Sequence, residues 1–123
     1  MRKLAAALAI SLLTIGAAAA APVKVVSTDK GDVLAGENGM TLYTFRNDTE
    51  GVSNCYEQCA TNWPPLFAEE GETADGDYTI VERKDGTKQW AKGGMPLYFW
   101  VNDTKEGDTT GDGVGGNWDL ARP

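Results

Sequence analysis

This chain of 123 residues contains no histidine. Histidine is the most common general base near neutral pH, the most common zinc ligand and the usual proximal ligand of haem. Serine–histidine and cysteine–histidine nucleophile pairs are therefore excluded, as is a CxxCH haem-attachment site. The remaining acid–base option is a pair of carboxylates, for which Asp48 and Asp103 are the candidates. The sequence shows no catalytic constellation and does not predict an enzyme.

Long apolar runs are absent after the first 20 residues. Within those residues, the basic pair Arg2-Lys3 precedes an apolar segment, and Ala18-Ala19-Ala20 supplies a small-residue cleavage pattern. The apolar segment is too short for a spanning helix, which needs about 20 residues. We predict a signal peptide, residues 1–20, cleaved after Ala20, because cleavage after Ala21 would place Pro22 directly behind the cut. No cysteine near the cut accepts a lipid, so we expect a periplasmic or secreted protein without membrane insertion.

Basic residues are scarce. Arg2 and Lys3 are the only charged residues among the first 20, so residues 21–123 carry 9 basic and 18 acidic side chains and a net charge of −9. This charge repels nucleic acid and anionic membrane surfaces, and it favours solubility or cation binding. We therefore expect no nucleic-acid partner.

Only two cysteines are present, Cys55 and Cys59. In an exported chain a disulfide is the default assignment, and two positions on one helical turn lie about 6 Å apart, close enough to be bridged. So small a loop stabilises the fold by about 2 kcal/mol. A redox-active pair is the alternative, although CxxxC lacks the tight spacing of thioredoxin-type CxxC.

The sequence is repeated. Residues 39–49 (GMTLYTFRNDT) and 94–104 (GMPLYFWVNDT) are identical at seven of eleven positions, and Asn62-Trp63 lies opposite Asn117-Trp118 at the same offset of 55. Short β-prone segments recur in both halves, and turn signals such as Asn38-Gly39 separate them. One short helix is predicted from Ser53, as its cap, to about Ala60, before Pro64-Pro65.

We therefore predict an all-β fold: a small β-rich single domain, residues 21–123, with one short helix. Two tandem repeats, about 24–68 and 78–123, flank an acidic linker at 69–77 and pack around a pseudo-twofold axis. Neither half can bury its aromatic face alone, so a shared aromatic core is expected.

The chain resembles a bacterial family described as the secreted repeat of unknown function, whose members are predicted lipoproteins with a Yx(FWY)xxD motif. The motif occurs as Tyr43-Thr-Phe45-Arg-Asn-Asp48 and as Tyr98-Phe-Trp100-Val-Asn-Asp103. The resemblance covers nearly all of residues 21–123 and implies an exported or surface-attached envelope protein with paired repeats. Two features depart from the family: the lipobox cysteine of many members is missing, and Trp118-Asp119 stands where Trp-His is common.

The motif residues have structural interpretations. Asp48 and Asp103 are expected to accept backbone N–H groups in the turns after their strands. The motif aromatics at alternate positions are typical of a core face. A candidate ligand surface consists of Trp63, Trp90 and Trp118, and Trp90 is expected to be exposed because Gln89 and Lys92 flank it.

The segment 108–119 (DTTGDGVGGNWD) has the register of a calcium loop. Its candidate ligands at positions one, three, five, seven and twelve are Asp108, Thr110, Asp112, the Val114 carbonyl and Asp119. The short Asp119 in place of a bidentate Glu, and the absence of flanking helical patterns, favour a plain Gly-rich turn instead.

The sequence thus favours a non-enzymatic envelope module, binding or structural, whose partner is another envelope protein or a glycan. A calcium-binding module and a redox accessory protein using Cys55 and Cys59 are the alternatives.

Overall fold

The computed structural model describes residues 20–123, so the predicted signal peptide, apart from Ala20, lies outside the described residues. These residues form eight strands, one short α-helix and one turn of 3₁₀-helix, and the predicted β-rich fold is confirmed. The elements in chain order are β1 (Val23–Thr28), β2 (Gly31–Gly36), β3 (Tyr43–Phe45), α1 (Gln58–Asn62), β4 (Phe67–Ala68), β5 (Tyr78–Glu82), β6 (Lys88–Lys92), β7 (Met95–Pro96), the 3₁₀ turn (Val114–Gly116) and β8 (Trp118–Leu120). No helix in this range is long and apolar enough to cross a membrane.

Each half of the chain begins with an antiparallel hairpin and gives its last strand to the other half. The hairpins are β1–β2 and β5–β6. Strand β8, from the second half, pairs with β3 of the first, and β4, from the first half, pairs with β6 of the second. The exchange continues beyond β8, because the Leu34 amide donates to the Ala121 carbonyl at 2.9 Å. The equivalent bond runs from the Trp90 amide to the Leu66 carbonyl, also at 2.9 Å.

The pseudo-twofold axis passes between the two motif tyrosines. The Tyr43 amide donates to the Tyr98 carbonyl at 2.8 Å, and the Tyr98 amide donates to the Tyr43 carbonyl at 3.0 Å. This reciprocal pair holds the two motif strands side by side at the centre of the molecule. The hydrophobic residues of both halves therefore face a common interior.

Four aromatic rings form a continuous stack across the axis. Their order is Trp100, Trp63, Trp118 and Phe45, with neighbouring centroids 4.0, 3.7 and 4.3 Å apart. The central pair are equivalent positions of the two repeats, and their planes differ by 4°. Tyr43 meets Trp63 edge-on at 5.3 Å, and Tyr98 meets Trp118 in the same way at 5.2 Å. Such ring pairs each add about 1 kcal/mol of stability beyond the burial of their surface. Because the stacked rings come from both repeats, the expected shared aromatic core is confirmed.

Gly111 is required by space rather than by its backbone conformation. A Cβ atom there would lie 2.8 Å from Cζ of Tyr43, 2.9 Å from Cη2 of Trp63 and 3.0 Å from Cγ of Trp100. Tyr43 and Trp63 are buried members of the aromatic core, and Trp100 is half-buried against it. The loop after β7 can therefore approach the core only with glycine at this position.

The predicted helix is in the wrong place. The helix spans Gln58–Asn62 and has no side-chain cap, whereas the prediction began it at Ser53. Ser53 is buried, and its hydroxyl is bound to tertiary partners instead. The turn into the helix passes through Glu57, whose φ of 57° is unusual for a residue with a side chain. Pro64 follows the last helical turn, as expected.

The expected disulfide is present. Cys55 and Cys59 are bonded with their Cα atoms 5.2 Å apart, but Cys55 precedes the helix rather than belonging to it. Cys55 is fully buried in the aromatic core. The bond therefore attaches the short helix to the interior of the protein.

Replacing both cysteines with serine, Cys55→Ser with Cys59→Ser, is expected to lower the free energy of unfolding by about 2 kcal/mol, because the cross-link restricts the unfolded chain. Denaturant unfolding followed by tryptophan fluorescence measures the loss. Wild-type protein reduced with dithiothreitol is the matched control and should lose a similar amount. A disulfide that serves structure should also have a potential below about −300 mV. A distinctly higher potential would favour the redox alternative.

Candidate functional site

The two motif aspartates are buried, and each binds the motif tyrosine of the other repeat. The Tyr43 hydroxyl donates to Oδ2 of Asp103 at 2.6 Å, and the Tyr98 hydroxyl donates to Oδ2 of Asp48 at 2.7 Å. Asp48 is 5% exposed and Asp103 is 7% exposed. The tyrosine and aspartate of one motif are thus not partners of each other. Each hydrogen bond joins the two repeats.

The second carboxylate oxygen of each aspartate organises the loop that follows. Oδ1 of Asp48 accepts the Asn54 amide at 2.7 Å, and Oδ1 of Asp103 accepts the Thr110 amide at 3.0 Å and the Thr110 hydroxyl at 2.6 Å. This is the turn role expected from the sequence. The sequence analysis missed the tyrosine partners, because the spacing within one motif does not indicate that its tyrosine and its aspartate each bind a residue of the other repeat.

A buried cation is connected to Asp48 through two hydroxyl groups. Nη1 of Arg83 donates to Oγ of Ser53 at 2.9 Å, and that oxygen lies 2.6 Å from the Tyr98 hydroxyl. Because the Tyr98 proton points to Asp48, Ser53 donates to Tyr98. Nη2 of Arg83 also donates to the Cys55 carbonyl at 2.7 Å. Arg83, which is 3% exposed, therefore fixes the disulfide loop and balances the buried carboxylate.

Burial has the largest effect on the pKa values of Asp48, Tyr43 and Tyr98. It raises the pKa of Asp48, against the opposing influence of the Tyr98 hydroxyl, the Asn54 amide and the Arg83 charge. Burial is also the main reason why the pKa values of Tyr43 and Tyr98 are raised, so both hydroxyls remain donors at ordinary pH. Every oxygen of Asp48 and Asp103 already accepts a hydrogen bond. The hydrogen bonds of the two aspartates therefore suit a structural role better than the role of a nucleophile or a general base.

The tryptophans do not form a ligand surface. Trp63 and Trp118 are each 4% exposed, in the centre of the aromatic stack. The prediction that Trp90 is exposed is wrong, because it is fully buried in the second hydrophobic cluster. Its neighbour Gln89 is also fully buried, and its side chain binds Arg83 and the Leu97 carbonyl. Gln89 is therefore an interior polar residue, not a sign of a half-exposed strand.

The side chains proposed for calcium are bound to other groups. Oδ2 of Asp108 accepts the amides of Thr104 and Lys105 at 2.8 and 3.1 Å. Asp119 forms a two-bond pair with Arg46, with both distances 2.8 Å. The remaining proposed ligands are also engaged: Thr110 with Asp103, Asp112 with Lys30 at 3.5 Å, and the Val114 carbonyl with the Asn117 amide at 3.1 Å.

The loop 108–119 is closed by its own backbone. The Gly113 amide donates to the Trp118 carbonyl at 2.8 Å, and the 3₁₀ turn Val114–Gly116 fills the interior of the loop. Within residues 20–123, no three Asp, Glu, Cys or His side chains converge on a position that could hold a metal. The structure therefore does not support the calcium hypothesis and favours the plain Gly-rich turn.

A groove with an acidic rim lies outside the repeated core. We define the acidic groove by the lining residues that remain after the predicted cleavage, Pro22, Glu37, Asn38, Leu66, Phe67, Glu69, Glu72 and Phe99; Ala20 also lines it in the structure. Its volume is about 460 Å³. Phe67, one of its lining residues, is 52% exposed, which makes it one of the most exposed large apolar residues of the described chain. Three carboxylates and no basic side chain line the groove.

A second cavity has a different character. Its volume is about 340 Å³, and Lys92 and Arg122 line it together with Asp77. Its charges compensate one another only in part, because two basic side chains face one acidic side chain, and core residues such as Leu34 and Leu97 also line it. The acidic groove is the stronger candidate for ligand binding because its charge is not compensated by its own lining.

A model of a protein family described as "Secreted repeat of unknown function" matches the chain twice, at residues 24–67 and 79–122. The two matches are tandem and cover the two halves related by the pseudo-twofold axis. No curated protein and no solved structure matches the chain significantly.

The crossed Tyr–Asp bonds are testable by double-mutant cycles. Tyr43→Phe with Asp103→Asn should show a coupling energy of about 1–3 kcal/mol, because the groups are in contact and buried. Tyr43→Phe with Asp48→Asn is the matched control and should be nearly additive, although both residues belong to one motif. Urea unfolding of the four proteins in each cycle supplies the energies. Strong coupling within a motif and none across the repeats would contradict the crossed arrangement.

Acid sensitivity should depend on Asp108. Backbone and side-chain hydrogen bonds from Thr104 and Lys105 lower the pKa of this carboxyl to about 2. A folded-state pKa below the ordinary value near 3.9 gives stability that is present above about pH 4 and lost as the pH falls towards 2. Asp108→Asn should therefore reduce the loss of urea midpoint between pH 4 and pH 2, whereas Asp29→Asn, at an exposed turn, serves as the control. An unchanged acid limb in Asp108→Asn would contradict this role.

Proposed function

This chain belongs to the family of secreted repeats of unknown function, and we propose that it is an exported, non-enzymatic binding module whose partner occupies the acidic groove. The observation that carries the proposal is the contrast between the two parts of the molecule. The motif tyrosines and aspartates are buried in the core. The groove, in contrast, is lined by three carboxylates without a basic side chain and by the exposed ring of Phe67.

The repeated residues support a scaffold. Tyr43, Tyr98, Asp48 and Asp103 are each less than one-tenth exposed and hydrogen-bonded to one another. A ligand that needed them would have to open the interface between the repeats. Recognition is therefore assigned to surfaces that lie outside the motif and differ between the two halves.

The groove offers two kinds of contact to one ligand. Phe67 and the half-buried Phe99 give an apolar floor, and Glu37 and Glu69 give negative charge at its rim. Glu72 contributes less freely, because its Oε1 accepts the Glu69 amide. A cation with an apolar stem satisfies both kinds of contact, since the stem covers aromatic surface and the head meets the carboxylates.

The proposed occupant is a basic segment of another envelope protein. Lysine and arginine side chains combine a long apolar stem with a cationic head. A neutral glycan would leave the carboxylates without a partner, and an anionic glycan would be repelled by the groove and by the net charge of −9 carried by residues 21–123. Charge complementarity therefore selects the protein partner over the glycan.

Export places such a partner within reach. The basic pair, apolar segment and Ala-Ala-Ala sequence of residues 1–20 support cleavage by a signal peptidase. The family match to secreted repeats agrees with a location outside the cytoplasm. An exported protein can meet other envelope proteins.

Calorimetric titration of residues 21–123 with end-blocked tetralysine tests the groove. Phe67→Ser and Glu37→Gln should each weaken binding about five- to tenfold, because cation–π and charge contacts of this kind are worth about 1 kcal/mol. Val25→Ser, at a similarly exposed residue of β1, and Glu82→Gln, on β5, are matched controls that leave the groove unchanged.

Two results would contradict the proposal. Equal weakening by the control variants would mean that tetralysine is attracted only by the net charge of the chain. Binding of spermine with the same affinity and the same dependence on Phe67 would point to a small organic cation rather than a protein segment. Amide chemical shifts of Phe67 and Phe99 locate the contact in either case.

A further inference from the structure

The backbone amide of Ala21 is bound to a carboxylate of the linker between the repeats. Its nitrogen lies 3.0 Å from Oδ2 of Asp75, in a half-buried setting. Ala21 itself packs against the second hydrophobic cluster, and its carbonyl accepts the Val23 amide at 2.8 Å. The donor is therefore held in place by its own strand.

The acceptor is equally well held. Asp75 and Tyr78 exchange two backbone hydrogen bonds, of 2.8 and 2.9 Å, which close the end of the linker just before β5. The Asp75 carboxylate is thus presented by a fixed turn that introduces the second repeat. A bond to it joins the start of the first repeat to the start of the second.

The predicted cleavage breaks the Ala20–Ala21 peptide bond, to which this Ala21 nitrogen belongs. Hydrolysis of the Ala20–Ala21 bond consumes one water: the C–N bond breaks, Ala20 leaves as a carboxylate that has gained the water oxygen, and the Ala21 nitrogen gains both protons of the water and becomes an ammonium group. A neutral N–H donor at 3.0 Å from a carboxylate is replaced by a cation at the same position. Charge-assisted hydrogen bonds are about twice as strong as neutral ones.

We propose that Ala21 is the mature N-terminus and that its ammonium group forms an ion pair with Asp75. Maturation then does more than release the chain from the membrane. It adds an ion pair that ties the first strand to the linker, so the processed protein is more stable than the precursor. The pair is lost if the cut is shifted by a single residue in either direction.

Cleavage removes Ala20 from the lining of the acidic groove, but the proposal does not rest on what the groove binds. Its first test is the cleavage position. The complete chain is expressed in a bacterium that exports it, and the purified product is analysed by intact mass and N-terminal sequencing. A single product beginning at Ala21 is expected. A product that begins at Ala20 or Pro22 would overturn the proposal, because neither start places the ammonium group at the nitrogen that faces Asp75.

The second test measures the ion pair. Chains beginning at Ala21 or at Ala20 are released from a cleavable fusion, each with and without Asp75→Asn. The chain beginning at Ala20 is the matched control, since it keeps the Ala21 amide neutral. Asp75→Asn keeps an acceptor oxygen and is expected to lower the Tm of the Ala21 chain by about 4 °C and that of the Ala20 chain by less than half as much.

Salt gives a third measurement that does not require a variant. The Tm advantage of the Ala21 chain over the Ala20 chain should shrink in 1 M NaCl, because added ions screen a partly exposed pair. Equal effects of Asp75→Asn on both chains, or an Ala20 chain as stable as the Ala21 chain, would overturn the ion pair. Because none of these measurements involves a ligand, their failure would leave the groove proposal standing.

Discussion

The structure depends on the need to satisfy two buried carboxylates. Asp48 and Asp103 lie in the interior, where an ionised group without hydrogen bonds would cost several kcal/mol. The donors that satisfy them come from both halves of the chain: a loop amide from their own half and a tyrosine hydroxyl from the other. Neither half can therefore satisfy its own aspartate when it is alone. The exchange of β4 and β8 and the meeting of the aromatic rings follow from the same geometry.

The two halves satisfy this requirement with different chemistry. Around Asp48, the tyrosine is linked through Ser53 to the buried guanidinium of Arg83. The disulfide holds the loop next to Ser53, whereas Arg83 directly follows β5 in the second half. Around Asp103, the Gly111 amide donates to the Tyr43 hydroxyl at 3.1 Å, and glycine lets the backbone reach the rings. The surroundings of Asp48 thus contain a cation and a cross-link, whereas those of Asp103 depend on the close approach of the backbone. The core is therefore approximately symmetric, but the groups that surround Asp48 and Asp103 differ.

The sequence predicted the fold well where its signal was repetitive. The offset of 55 residues identified the two halves, and aromatics at alternate positions indicated the core. The helix was misplaced because Ser53 reads as a cap, although its hydroxyl is taken by Tyr98 and Arg83 from distant segments. Trp90 was misread because Gln89 looks like a surface residue, although a buried arginine requires its oxygen.

The candidate site was harder to predict. The calcium register of 108–119 is correct in spacing, but spacing does not reveal that Arg46, Lys30 and the Thr104 amide already occupy the acidic side chains. The acidic groove is assembled from residues near positions 22, 37, 67–72 and 99. No local pattern marks it, because its lining combines separate segments of the first half and the linker with Phe99 of the second half.

The crossed hydrogen bonds also affect how mutations accumulate in the chain. A tyrosine and an aspartate five residues apart look like one unit, yet a change at Tyr43 alters the environment of Asp103, and a change at Tyr98 alters that of Asp48. Compensating substitutions should therefore appear in the opposite repeat, 50 or 60 positions away. Correlated changes between the two copies would then report a contact inside one molecule, even though neither copy read separately would contain the partner of the residue that changed.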